Sequence, residues 1–221
     1  MGTNNQSAVK RQQMEMQLKG KNSEQQAIIK FFYGADGGCM STGMTPQQYL
    51  EKVYNKTEML DTKQMALRKL SIDEEEVQEI APVTFEGFVF NDKVDNLVTR
   101  AFNNMWVSSE YMITWLFFGE REVFIYQYTF NMTSDSKKEN TMQYFYQDVT
   151  NFSASSETFQ KVVAESSGCT SDAQYTQVSV DADEFKIVVP GDVLRCSMTP
   201  SPNTDESIRG MRNKLREMKN R

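Results

Sequence analysis

At 221 residues, with 39% hydrophobic side chains, the chain is long enough for one good-sized domain, or one domain plus a smaller helical piece. Its formal net charge of −6 sets it against nucleic-acid phosphates and anionic lipid. The complete absence of histidine removes Ser-His-Asp and Cys-His catalysis, together with histidine-bearing zinc sites.

Charge is unevenly spread. Residues 1–30 carry five basic and two acidic side chains, and residues 205–221 carry six and three, so each end holds +3 and residues 31–204 hold −12. Basic ends on an acidic body read as solvated helix faces. Cys39, Cys169 and Cys196 are far apart and in no CxxC spacing, which argues for a reducing compartment rather than a disulfide framework. No stretch approaches a membrane span, the first residues lack the apolar run of a signal peptide, and Gln6 stands where a myristoylation signal wants Ser or Thr. A cytoplasmic protein is expected.

In chain order, residues 1–30 are polar, and Met14, Leu18, Ala27, Ile28 and Ile29 give a weak helical pattern that predicts one helix from about Ala8 towards Tyr33. Residues 34–44 carry four glycines and read as a loop. Thr45 as N-cap and Pro46 at the first helical position open a helix whose Tyr49, Leu50, Val53 and Tyr54 share a face. Asp61 caps a second helix running to Leu70, and Ser71 with Glu74 has the spacing of a capping box for a third, with Ile72, Val77 and Ile80 apolar, before Pro82.

From Val83 strands dominate. Residues 85–90 carry apolar side chains on both faces. Tyr111–Phe118 and Glu122–Phe130 flank a short turn and form the strongest hairpin in the chain. Residues 131–140 read as a polar loop, 142–149 as a strand that 150–156 extends, and 164–174 as a loop. Residues 174–180 and 185–189 read as two strands; Pro190-Gly191 is a turn, and 193–198 a last strand. Residues 197–204 read as a linker, and Asp205 starts a helix in which Ile208, Met211, Leu215 and Met218 make one narrow apolar seam. The sum is an α+β protein: residues 1–82 a helical region, 83–199 an antiparallel β roll or partly open barrel of about seven strands, and 200–221 a linker and C-terminal helix.

Seven antiparallel strands followed by a capping helix resemble the pleckstrin-homology-like fold as found in bacterial proteins. The resemblance is carried by the strand at 85–90, the hairpin at 111–130, YFYQDVTNFS at 144–153, FKIVVPG at 185–191 and the helix after 205. The tail, DESIRGMRNKLREMKNR, is similar to short C-terminal helical oligomerisation modules. The resemblance implies binding rather than catalysis. Lipid head-group binding is not carried over, because the loop at 91–106 mixes Asp92 and Asp95 with Lys93 and Arg100.

Several clusters combine residue types that could carry chemistry. Gly34, Gly37 and Gly38 lack the strand before and the Lys-Ser/Thr after that a phosphate loop needs. Asp73, Glu74, Glu75 and Glu76 suit a helix N-terminus through the dipole better than a cation site. Asp181, Asp183 and Glu184 lack the Gly and distal Glu of a calcium loop and read as a polar turn. Cys39 has no basic neighbour to activate it, and Cys196 reads as core. Trp106, Trp115, Phe117, Tyr126, Tyr128, Tyr144 and Tyr146 read as core and cross-strand pairs, with some left over for a protein interface.

The expectation is therefore a non-enzymatic protein-binding or self-assembling scaffold module without catalytic residues, cofactor or metal. Its partner is a protein or itself as a homo-oligomer, assembled through Ile208, Met211, Leu215 and Met218. Nucleic acid is not expected as a partner. A small-ligand sensor or carboxylate-based enzyme using the mouth of the roll is the alternative, and peripheral membrane attachment through the basic ends is a weaker one.

Overall fold

The computed structural model describes residues 3–34, 43–77, 81–91, 96–101, 105–165, 174–199 and 202–219. Instead of one helix over 8–33 there are two, α1 (Thr3–Leu18) and α2 (Ser23–Phe32). Gly20 breaks them by taking a left-handed φ of 72°. Asn22 then restarts the helix with a full capping box: its side chain accepts from the Gln25 N–H at 2.8 Å, and the Gln25 side chain accepts from the Asn22 N–H at 3.3 Å.

The next helix, α3 (Pro46–Met59), starts as the sequence predicts, with Thr45 as N-cap and Gln48 completing the box. Tyr49, Leu50 and Val53 are buried, but Tyr54, furthest round the helix from Tyr49, is exposed. Asp61 caps α4 (Thr62–Leu70). Ser71 does not open a third α-helix; it closes α4 in the left-handed region at φ 56°, and only a single 3-10 turn at Glu74–Val77 follows. Ile80 lies outside the described residues.

The first sheet is antiparallel in the order β1-β4-β5-β6, built from β1 (Val83–Phe88), β4 (Glu110–Phe118), β5 (Glu122–Asn131) and β6 (Lys137–Phe145). A small hairpin of β2 (Val98–Arg100) and β3 (Trp106–Ser108) is inserted between β1 and β4. The second sheet is a meander of β7 (Asn151–Glu165), β8 (Gln174–Val189) and β9 (Asp192–Met198). The described strands thus number nine in three sheets, and none closes into the expected roll or barrel. The loop expected over 131–140 is shorter, because β6 begins at Lys137. Residues 150–156 do not extend β6 but start β7 in another sheet.

Residues 174–189 form one strand, not two. Their alternation changes phase in the middle: Val180 and Ala182 are buried on one face, Phe185 and Ile187 on the other. On β7 the buried residues shift in the same way, from Phe152 to Val163. The β7–β8 ribbon therefore covers the first sheet with one face near β9 and a separate small core with the opposite face beyond it.

Both faces of the β4–β5 hairpin are buried. One carries Tyr111, Ile113 and Phe117 opposite Phe130, Tyr128 and Phe124, and packs on α2, α3 and α4. Tyr49 ties α3 down by donating its hydroxyl to the Ser108 carbonyl at 2.6 Å, and Trp115 Nε1 donates to Thr62 Oγ1 at 2.9 Å. The other face, with Leu116, Phe118, Val123 and Ile125, packs on Phe152, Phe185, Ile187 and Cys196 of the second sheet and on α5 (Pro202–Lys219). This last helix starts at Pro202, where the missing N–H costs nothing, rather than at Asp205. Phe90 and Val98 form the third, small core with Val163, Val180 and Ala182. No helix among the described residues is long and apolar enough to cross a membrane.

The two sheets meet at one corner. The Thr199 N–H donates to the Glu86 carbonyl at 2.8 Å, and a Cβ on Gly87 would stand 3.0 Å from the Met198 backbone. Glycine is needed there because backbone, not a flexible side chain, fills the space. Gly87→Ala should lower unfolding free energy by about 1–3 kcal/mol, the range for overpacking; urea titration followed by tryptophan fluorescence measures it.

A candidate ligand cleft under the first helix

The β7–β8 ribbon outruns its neighbour: β9 pairs only with Asp183–Val189, so residues 157–165 and 174–182 project as a two-stranded arm. The inner face of the arm seals the small core with Phe159, Val163, Val178 and Val180. At the end of its outer face lies α1, a helix with few apolar residues to anchor it. Lys10 sits over the Tyr175 ring at 5.9 Å, and the Tyr175 hydroxyl donates to the Tyr33 carbonyl at 3.2 Å. Burial pushes the Tyr175 hydroxyl above its ordinary pKa.

An open cleft of about 700 Å³ remains between these elements. One wall is α1, through Lys10, Gln13, Met16 and Gln17, backed by Phe32 and Tyr33 at the end of α2. The other is Asn96–Val98 and the β7 segment around Gln160, Lys161 and Val162. Lys161 is fixed in place, its ammonium donating to the Asn91 carbonyl at 2.7 Å and to Asn96 Oδ1 at 3.3 Å. The Asn96 amide is held in turn by donating to Ser108 Oγ at 3.1 Å and to the Val89 carbonyl. The described lining offers amines, amides, phenols and an apolar strip, and no carboxylate or thiol. Such a set can hold a ligand by charge, hydrogen bonds and burial.

The residues singled out by sequence lie elsewhere. Ile208, Met211 and Leu215 are 4%, 1% and 6% exposed inside the core between α5 and the two sheets, and Met218 packs at its border. Arg212 Nε fastens the helix by donating to the Phe152 carbonyl at 2.8 Å. The seam is thus occupied by this chain's own core, and a partner that took it would first have to lift α5 away.

The mid-strand acids do not converge either. Asp181 accepts from Thr158 Oγ1 at 2.6 Å and Asp183 from Ser156 on one face, whereas Glu184 turns to the other face and pairs with Arg195 at 2.7 Å. Arg195 also reaches Glu157 at 2.6 Å, and Lys186 joins the same group; hydrogen bonds from Lys186 and Arg195 hold the Glu157 carboxyl below its usual range. Of the aromatic set, Phe117, Tyr126, Tyr128 and Tyr146 are buried, whereas Phe145, outside that set, is exposed.

Among the cysteines, Cys196 is fully buried with its thiol pushed up to about 12 by desolvation, so it is no nucleophile at neutral pH. Cys39, Cys169, Gly37 and Gly38 lie outside the described residues. The expectations place no element over 157–163, so the β7 wall of the cleft is absent from them. Its alternation of Phe159, Lys161 and Val163 with Thr158, Gln160 and Val162 is the signal that would have placed it on a strand.

No protein-family model, curated protein or solved structure matches this chain.

Because Leu215 is core, Leu215→Asp should cost roughly 3 kcal/mol or more, the penalty for an unpaired charge in an apolar site. The expected result is a fall in melting temperature by circular dichroism, with no change in the light-scattering mass of whatever remains folded. A lower mass with an unchanged melting temperature would instead mean that the seam holds subunits together.

Proposed function

We propose that this chain is a non-enzymatic binding module whose working surface is the cleft beneath α1. The observation that carries this reading is the cleft itself: its volume of about 700 Å³ falls in the range typical of small-molecule sites, roughly 300–1,000 Å³. Its described lining is rich in hydrogen-bond donors fixed by their own partners, as the Asn96–Lys161 pair illustrates. On the ribbon wall a rigid donor set suits recognition, because little ordering of it is left to be done when a ligand arrives.

The chain order adds support at the level of fold. With the β2–β3 hairpin set aside, a four-stranded meander is followed by a three-stranded one and then by a helix packed over both. That order resembles the pleckstrin-homology-like fold, and such domains bind lipid head groups, peptides or one another. Fold-level likeness of this kind is an analogy, so the weight stays on the cleft.

A second reading, binding of a protein partner or a second copy, is favoured by β6. It is the last strand of the first sheet, with no described strand beyond it, and Phe145 at its end is 54% exposed. An open edge accepts an added strand, although Lys137 and Lys138 at its start oppose casual pairing.

The two readings separate experimentally. In ¹H–¹⁵N spectra of the full chain titrated with a small-fragment library, shifts should cluster on Lys10–Gln17, Asn96–Val98 and Gln160–Ala164; shifts confined to other surfaces would overturn the cleft reading. For the second, light scattering should give a multimer that Phe145→Lys reduces to the monomer. A monomer before and after the substitution would remove self-assembly through β6.

A further inference from the structure

Resting on the reading of the cleft as a ligand site, we infer that its occupant is a small organic anion: a carboxylate carried on a flat apolar body. The chain as a whole is acidic, at −6, yet the described lining contributes two ammonium groups and no carboxylate. A local reversal of sign inside a partly desolvated cleft concentrates anions there. The two cations come from opposite walls, Lys10 from α1 and Lys161 from β7.

Lys161 is the sharper of the two. Its described partners, the Asn91 carbonyl at 2.7 Å and Asn96 Oδ1 at 3.3 Å, are both neutral. They position the ammonium without cancelling its charge, which an ion-paired lysine could not offer to a ligand. Lys10 is placed by the Tyr175 ring, whose face attracts the cation and likewise leaves the charge in force.

The rest of the lining sets the body of the ligand. Met16 and Val162 are 56% and 52% exposed, large apolar side chains left uncovered on the two walls, and Leu97 and Val98 line the cleft with them. Apolar surface of this kind is covered by a flat hydrocarbon frame, with the amides of Gln13 and Gln17 at its rim to meet polar substituents. The charges are lysine ammoniums, compact point charges without the bidentate fork with which arginine grips phosphate; a single carboxylate is the anion they fit.

The test uses the full chain and a matched pair of probes, 2-naphthoate and 2-naphthamide, followed by ¹H–¹⁵N spectra. Naphthoate should move the amides of Asn96–Val98 and Gln160–Val162 and bind about tenfold more tightly than naphthamide, the margin of one charge-assisted hydrogen bond. That margin should shrink between low salt and roughly 0.3 M salt. Lys10→Gln, whose own spectrum reports that it folds, should shrink the margin while keeping naphthamide binding. Equal binding of the two probes overturns the anion assignment and leaves the cleft standing as a ligand site. No shift in the cleft with these probes or with any library fragment overturns both. An oligoglutamate peptide that displaces naphthoate at lower concentration would overturn the small-molecule assignment in favour of an acidic protein segment.

Discussion

A strand pair that is apolar on both faces has to be covered twice, and the β4–β5 hairpin sets that requirement for the whole molecule. Tyr111, Ile113 and Phe117 call for one cover and Leu116, Phe118 and Ile125 for another. The helices α2–α4 supply the first, and the second sheet with α5 supplies the second. Between the two sheets the apolar layer is interrupted by the cross-strand pair of Thr114 and Gln127; Gln127 Nε2 donates to the Arg195 carbonyl at 2.8 Å and lies 3.4 Å from Thr114 Oγ1. This buried bond helps to fix how one sheet sits on the other, because a slip of β9 would cost the amide its shortest acceptor. The corner at Gly87 then follows, since the backbones of β1 and β9 can meet there only over a residue without a side chain.

Coverage by the second sheet also explains why a cleft exists. Only the part of the β7–β8 ribbon paired with β9 is needed to cover the hairpin. The remainder overhangs, and it is stable only because it changes which face it buries and seals a second core around Phe90, Val98 and Val163. The outer side of the overhang is then free, and α1 leans on it without enough apolar surface to close the gap. The cleft is a consequence of a ribbon longer than its sheet and a helix too polar to seal it.

What the sequence made legible were the features whose physics is local. Thr45-Pro46, Asp61, the hairpin expected at 111–130 and the Pro190-Gly191 turn are set by residues that touch one another along the chain, and each is found where the sequence places it, the hairpin one residue longer at each end. The features missed depend on distant partners. The phase change in β8 between Ala182 and Phe185 looks like a strand break to any rule that assumes one buried face, and only the two separate cores show why it is not. Asp181 and Asp183 looked like a turn for the same reason, whereas their acceptors are filled by Thr158 and Ser156 from β7. The α5 seam was readable as a buried stripe, but an amphipathic pattern states that a face is covered and not by what; here the cover is the chain's own Phe152 and Phe185. The break at Gly20 was written in the sequence together with Asn22 and Gln25, and a weak apolar pattern running across it masked the signal.

The cleft inherits an asymmetry from this construction. Its ribbon wall is fixed by strand pairing and by the chain of contacts from Ser108 through Asn96 to Lys161. Its helical wall, α1, is joined to the rest by α2, by the Lys10–Tyr175 contact and by few buried side chains. Elements with little buried apolar surface open most readily, so α1 is the wall whose docking free energy is smallest. A ligand that touches both walls adds contacts to the docked state alone, and by linkage it must stabilise α1 on the ribbon by as much as the docked helix favours the ligand. Recognition in this cleft and the attachment of the first helix are therefore one equilibrium, and the two lysines, one on each wall, are where the charge of an anion acts on it.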